Sequence, residues 1–364
     1  MKGRTLFKIH SLAGLLSGLL LLVVSASGCV LVFAEEIDRA LHPAVVEVAP
    51  AGEPLPLERI YRQVRADFPR IGYVRFRTLP KTPRSAIEMS LETGADWYFA
   101  YYNPYTGRLL GVRNADTYFL GWLLNLHYRL LGGKTGEYTV ALLAVCLVLS
   151  TLTGLVVYRK HLLKVLLFRQ AFAFTNWRTA SSSLHRLVGI WSLAFNLVIA
   201  LTGFWMLRHL FTEWPAAPPA QEITANAPLA YPIDAYVARA RTALPGLVPY
   251  GVFLPHDRTE TVLIFGRVAG SPLLHNEYSS SVSLHPASGR VVAVSDARQA
   301  SLAEGLDVIA LPLHSGQYSG LLVKLLYCAG GLAPALLSLT GGLLWLRRAR
   351  IVSPRPKKTR VYAQ

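Results

Sequence analysis

Four stretches of the chain, residues 11–34, 138–158, 187–207 and 325–346, contain no charged residue. Each is at least 21 residues long, and about 20 apolar residues carry a helix across a bilayer core. Between the first and second stretches the pattern shortens to period two. Alternation near 71–79, 85–92 and 96–102 predicts strands, preceded by a short amphipathic helix over 55–68. The interval between the third and fourth stretches repeats this order, with a helix over 232–244 and strands near 248–254, 260–267 and 279–285. Matching turns follow: Asn103-Pro104-Tyr105-Thr106-Gly107-Arg108, which leads into a further strand, and His285-Pro286-Ala287-Ser288-Gly289-Arg290. In each, glycine supplies the positive φ that a tight turn requires.

The pattern predicts a membrane protein: a four-transmembrane-helix bundle made of two parallel repeats, each with an inserted small α+β domain. The expected boundaries are helix 1 over 1–34, exported domain 1 over 35–125, and helix 2 over 126–158 with an extramembrane start. A cytoplasmic loop over 159–184, helix 3 over 185–207 and exported domain 2 over 208–312 follow. Helix 4 over 313–346 and a basic tail over 347–364 complete the chain. Composition points the same way, since 52% hydrophobic and 16% charged residues exceed the apolarity of an ordinary soluble enzyme.

Charge sets the orientation. The segment before the first span, the loop to residue 186 and the tail from 347 hold 16 Lys/Arg and no Asp or Glu. They account for the whole net charge of +16, and the positive-inside rule puts them in the cytoplasm. The excess is therefore a topological signal, and nucleic acid is not an expected partner. Lys2, Arg4 and Lys8 before the first run resemble a signal peptide, but the 24-residue run exceeds a cleavable h-region of about 7–15. An uncleaved helix is expected despite the lipoprotein-like stretch Ala26-Ser27-Gly28-Cys29. Cys29, Cys146 and Cys328 all fall inside spans and form no metal or haem-attachment spacing.

The two halves also repeat their histidines. Gly14 follows His10 by four positions and Gly189 follows His185 by four; Gly28 and Gly203 each lie 18 beyond their histidine. His127 precedes Thr153-Gly154, and His314 precedes Thr340-Gly341, with 27 residues from histidine to glycine in both. Parallel repeats are commonly related by an axis along the membrane normal. His10 and His185 are thus expected at one depth near the cytoplasmic face, and His127 and His314 at another near the outer face.

At 100° per residue, His10, Gly14, Ser17, Leu21 and Gly28 share one helix stripe, as do His185, Gly189, Ser192, Asn196 and Gly203. Small residues there serve close helix packing or give clearance for a flat macrocycle. Packing alone does not account for paired histidines, whereas two neutral imidazoles make a six-coordinate haem site. Two pairs at two depths therefore predict two haem b groups, with His10, His185, His127 and His314 as axial ligands to iron. Zinc would draw three or four ligands to one point, and a proton relay would add an intramembrane carboxylate; the spans offer neither.

Arg129 and Arg186 stand beside these histidines as candidate propionate partners or as anchors to lipid phosphate. His209 and His161 have no repeat partner, and His42, His256, His275 and His285 read as solvated loop residues. Gly132-Gly133-Lys134-Thr135 resembles the end of a P-loop, but Tyr128 occupies the first glycine position. No Gly-x-Gly-x-x-Gly follows a strand, so no flavin or nicotinamide domain is expected. His127 lies 32 residues before Arg159, about 48 Å of continuous helix. Helix 2 must therefore project beyond the membrane or break, with Gly132-Gly133 the candidate break.

Lys8-Ile9-His10-Ser11-Leu12-Ala13-Gly14, the Leu184–Trp191 motif LHRLVGIW and the two LH…LTG spans resemble the PepSY-associated transmembrane proteins. NPYTGR and HPASGR resemble the corresponding turns of PepSY domains. The resemblance spans nearly the whole chain and implies a bacterial inner-membrane location, cytoplasmic termini and periplasmic PepSY-like domains. Members linked to iron uptake imply a haem-bearing reductase that frees iron from a ferric siderophore or other ferric chelate. Electrons would enter near His10/His185 from a quinol or a flavoprotein and leave near His127/His314. Alternatives are a non-enzymatic PepSY protein that binds or inhibits a periplasmic protease or partner, and a cytochrome b-type conduit to another protein.

Overall fold

The computed structural model describes residues 3–94, 96–211, 226–256 and 260–352. The tail from 353, and stretches 212–225 and 257–259 of the segment expected as the second exported domain, lie outside the described residues. In the first half, α1 (Gly3–Leu31) leads into α2 (Ala34–Leu41), α3 (Pro43–Val46) and α4 (Leu57–Asp67). Strands β1 (Tyr73–Thr78), β2 (Ile87–Thr93), β3 (Asp96–Tyr102) and β4 (Leu109–Asn114) follow, then α5 (Phe119–Arg129), α6 (Gly133–Tyr158) and α7 (Leu162–Leu166). The second half comprises α8 (Trp177–Trp191), α9 (Leu193–Met206), α10 (Ile233–Ala243), β5 (Leu247–Phe253), β6 (Val262–Val268), β7 (Ser280–Leu284) and β8 (Val291–Ser295). Two helices, α11 (Leu302–Ser315) and α12 (Leu321–Val352), close the chain.

The molecule is a membrane protein with several apolar helices and a β-sheet region. Among the described residues, three helical segments are long and apolar enough to cross a bilayer: Gly3–Leu31, Gly133–Leu166 and Leu321–Arg348. The pair α8 and α9 makes a fourth if the two, bent by 64°, count as one span. The bend falls at Ser192, whose Oγ donates to Val188 C=O at 2.7 Å while accepting from Asn196 Nδ2 at 3.0 Å. A serine that bonds back to the preceding turn competes with the backbone ladder and bends a helix. The straight helix expected over 185–207 is therefore two segments, beginning earlier at Trp177.

The expected break in helix 2 is present. Leu130, Leu131 and Gly133 all take left-handed conformations (φ 48°, 58° and 55°) between α5 and α6. A Cβ at Gly136 would overlap Arg129 C=O, so the restart admits no larger residue there. Helix 4 breaks too: Gly316, at φ 69°, caps α11 in the left-handed conformation before α12 begins. The expected spans 126–158 and 313–346 are each a short helix followed by a long one.

The strands form one antiparallel sheet in the order β4-β3-β2-β1-β5-β6-β7-β8. Two four-stranded meanders join edge to edge, with Phe76 of β1 opposite Val252 of β5. Helices α4 and α10 lie on one face, and a single apolar core runs through both halves from Ile60, Phe76 and Met89 to Tyr236, Val252 and Ile264. The helices cap each other across the halves. Asp234 accepts from the backbone N–H of Leu57 and Glu58 at 2.8 and 3.0 Å, and Glu58 accepts from Ile233 N–H at 3.3 Å. A carboxylate at a helix N-terminus satisfies orphan donors and complements the dipole. The two inserted segments, expected as separate small domains, thus share one sheet and one core.

Helix α2 ties sheet to bundle. Its Asp38 pairs with Arg113 of β4 at 2.7 Å, its Glu35 with Lys81 at 2.6 Å, and its Glu36 with Lys324 of α12 at 2.6 Å. Within the bundle, α1 packs along α6 and α12, and α9 packs along α6.

Candidate functional site

The helices bring the four histidines together in two pairs, each drawing one ring from either half of the chain. His10 of α1 and His185 of α8 have ring centroids 6.1 Å apart at 84° between planes. His127 of α5 and His314 of α11 are also 6.1 Å apart, at 60°. Along α1, His10 and the residue that packs on His127, Gly28, are 18 positions apart. That is about 27 Å of helix, so the pairs occupy different levels of the bundle.

Each imidazole lies against a glycine of a further helix. His10 meets Gly154 of α6, His185 meets Gly341 of α12, His127 meets Gly28 of α1 and His314 meets Gly203 of α9. A Cβ at these positions would stand 3.1, 3.3, 2.8 and 2.9 Å from the ring Cε1, respectively. The glycines are floors on which the rings rest.

The hydroxyl or carbonyl beside each glycine fixes the tautomer. His10 Nδ1 lies 2.9 Å from Ser150 C=O, and His127 Nδ1 lies 2.9 Å from Val24 C=O. A carbonyl only accepts, so each Nδ1 carries the proton. His185 Nδ1 lies 2.9 Å from Thr340 Oγ1, whose proton goes to Leu336 C=O at 2.7 Å. His314 Nδ1 lies 3.1 Å from Thr202 Oγ1, whose proton goes to Val198 C=O at 2.6 Å. In both cases the hydroxyl oxygen accepts and Nδ1 donates. All four rings therefore hold a proton on Nδ1 and a lone pair on Nε2, which makes no hydrogen bond among the described residues. An acceptor on Nδ1 orients a metal-ligating histidine in this way, leaving Nε2 to the metal.

The donor set fits a metal held between two imidazoles. Metal–nitrogen bonds of about 2.0 Å on either side of one ion bring ring centres to about 6 Å. No group of three or more His, Cys, Asp or Glu side chains converges as a metal site among the described residues.

The other predicted residues are placed differently. Arg129 Nε donates to the buried Glu137 at 2.7 Å and its guanidinium covers the Tyr128 ring, which commits it to spanning the α5–α6 break. Arg186 donates to Ser182 C=O at 3.1 Å and lies 5.9 Å from the Tyr158 ring centre. A Cβ on Gly14 would meet Ser150 Oγ at 4.0 Å and one on Gly189 would meet Leu337 Cδ2 at 3.5 Å. Those are ordinary contacts, so the glycines closest to the rings are 28, 154, 203 and 341. Spacing alone relates Gly28, Gly154, Gly203 and Gly341 to the histidine of the same expected span; their contact with rings of neighbouring helices, and the reach of Glu137 to Arg129, depend on how the helices pack. His256 stacks on Tyr73 with centroids 3.7 Å apart, and His285 Nδ1 accepts from Ala287 and Ser288 N–H within its turn.

Apolar spanning helices, paired imidazoles at two levels and a sheet joined to the bundle define a class of integral membrane protein. The chain belongs to the family of the PepSY-associated TM region, whose family model matches residues 7–348. It is also similar to the uncharacterised protein PA4219 of Pseudomonas aeruginosa, with 29% identity over 255 residues. That match covers 63% of this chain and 64% of the relative, so the chain spans less than two thirds of the relative's length.

Proposed function

We propose that this protein is a haem-containing inner-membrane reductase that moves electrons from the cytoplasmic side to a periplasmic ferric chelate, with ferric siderophores as the substrate class. On this reading the helices form a four-span bundle of two parallel repeats, and the exported sheet is a fused pair of PepSY-like domains. The observation that carries it is the set of four imidazoles, each protonated on Nδ1 with Nε2 left as a lone pair, lying in two pairs with ring centroids 6.1 Å apart. His10 with His185, and His127 with His314, would each hold one haem b, which when bound supplies a one-electron iron couple. Ser150, Val24, Thr340 and Thr202 keep each ring in the ligating tautomer, and the four glycines leave room for the ring edges against the neighbouring helices. Reduction releases iron because hard oxygen chelators hold Fe(II) far more weakly than Fe(III).

A reduced-minus-oxidised spectrum of the purified protein, expressed with ample haem, tests the first half of the proposal; absence of a b-type Soret shift ends it. Turnover of a ferric siderophore by the chain alone in proteoliposomes tests the second. A reduced protein that fails to reoxidise on the siderophore is a conduit to another protein.

A further inference from the structure

Helix α1 meets α12 along a seam that joins the first half of the chain to the second. Near Gly28 this seam is pinned by three contacts. Gln317 Nε2 donates to Leu31 C=O at 3.1 Å, Lys324 pairs with Glu36 at 2.6 Å, and the Cys29 thiol donates to Cys328 C=O at 3.3 Å. The Cys328 thiol is a direct neighbour of the Cys29 thiol. A Cβ on Gly331, one turn further along α12, would stand 3.1 Å from Cys29 Sγ. Small residues let membrane helices approach closely, as a disulfide requires, with Cα atoms about 4.4–6.8 Å apart. Packing does not call for sulfur at these positions. The α6–α9 seam is the repeat equivalent of α1–α12. There Phe204 follows Gly203 as Cys29 follows Gly28, and Ala141 lies 14 residues after His127 as Cys328 lies 14 after His314. One seam holds Phe and Ala where the other holds two adjoining thiols.

We propose that Cys29 and Cys328 are a reversible redox pair, closed to a disulfide by a disulfide oxidant on the side of the membrane that carries the sheet. Cys328 is half-buried and Cys29 buried, so the oxidant meets Cys328 first. The Cys328 sulfur forms a mixed disulfide and releases one reduced thiol of the oxidant. The Cys29 sulfur then attacks the Cys328 sulfur and releases the second. Two S–H bonds of the chain break and one S–S bond forms, while two electrons and two protons reduce the oxidant's disulfide to two thiols. Closure joins the two halves covalently beside Gly28, against which the His127 ring lies. That consequence rests on the reductase reading: through it the outer haem answers to the thiol balance of the exported side.

The test treats the full chain in phosphatidylcholine nanodiscs with hydroxyethyl disulfide, quenches it with iodoacetamide and maps the peptides by mass spectrometry without reduction. A cross-linked peptide pair carrying Cys29 and Cys328 is expected, reversed by dithiothreitol. It should form about tenfold faster than any adduct on Cys146, the third free thiol. Cys328→Ser should abolish the bridge, and Cys146→Ser should leave it unchanged. Reagent left on Cys328 without closure, bridging to Cys146, or thiols that all stay free at an oxidant level that closes dithiothreitol would overturn the proposal. With haem bound, closure should change the rate of outer haem loss about threefold and Cys328→Ser should remove that change; an unchanged rate would overturn the link to His127. Bridging is read with or without haem, so a missing haem spectrum ends the reductase reading and leaves the thiol result standing by itself.

Discussion

The His10/His185 and His127/His314 pairs, the inner and outer ones on the proposed orientation, are assembled from the same parts on different supports. His10 and His185 ride on helices of the bundle itself. His127 and His314 ride on α5 and α11, short helices set off from α6 and α12 by left-handed breaks. A short helix after such a break is positioned by what clamps it. In the first half Glu137, 7% exposed, reaches across the break to Arg129 at 2.7 Å. In the second, Asp307 of α11 accepts from Trp205 Nε1 at 2.8 Å and pairs with Arg208, tying α11 to the end of α9. The floors differ as well: a Cβ would approach the ring to 2.8 and 2.9 Å at the outer glycines and to 3.1 and 3.3 Å at the inner ones. The outer pair is placed by these clamps across its breaks, whereas the inner pair rides on the continuous α1 and on α8, which bends from α9 at Ser192.

The largest expected effect separates the two pairs outright. Replacing His10 and His185 together by alanine should remove about half of the bound haem, measured as haem per protein, and leave a single b-type component in a redox titration. His127→Ala with His314→Ala should give the complementary half. Loss of all haem, or of none, in either variant would contradict two independent pairs. The glycine floors give the next effect. Gly28→Ala forces the β carbon onto the ring edge, an overpacking cost of about 1–3 kcal/mol, and should empty most of the outer site. Gly341→Ala has more room and should retain most of the inner haem. Equal losses would show that clearance does not distinguish the sites.

Much of this arrangement is legible in the chain because it is written in periods. Strand β3 occupies the residues its alternation predicts, 96–102, and the length of helix 2 leaves projection or a break at Gly132-Gly133, of which the structure has the break. The histidine partners follow from the repeat, since equal spacing in parallel halves implies equal depth. The rest depends on which surface meets which, and spacing along one helix carries no such information. The Thr-Gly and Ser-Gly steps could not be assigned to a neighbour's ring before the helices were arranged. The junction of β1 with β5 joins Phe76 and Val252, 176 residues apart, through backbone groups, with no side-chain code to announce it. The break at Gly316 lacks a double glycine, and the bend at Ser192 comes from a side-chain hydrogen bond that many serines in helices do not impose.

Two smaller substitutions sharpen the contrast of supports. Glu137→Gln removes the charge that holds Arg129 across the break. Because the carboxylate is buried and the arginine half-exposed, the expected cost is about 1–2 kcal/mol. It should appear as weaker haem retention at the outer site, with the inner spectrum and redox midpoint unchanged.

The smallest effect is expected at Asn176, which accepts from Arg178 and Thr179 N–H at 3.1 and 3.0 Å and starts the helix that carries His185. Asn176→Ala should cost about 1 kcal/mol, felt where α8 begins and fading along the bundle. Measured in the His127→Ala/His314→Ala background, the temperature at which the inner haem is lost should fall by a few degrees. Measured in the His10→Ala/His185→Ala background, the outer haem should be lost at an unchanged temperature, because α5 and α11 draw no support from the α8 cap. An equal fall in both backgrounds would mean that the bundle melts as one unit and that the local clamps do not set the outer site apart.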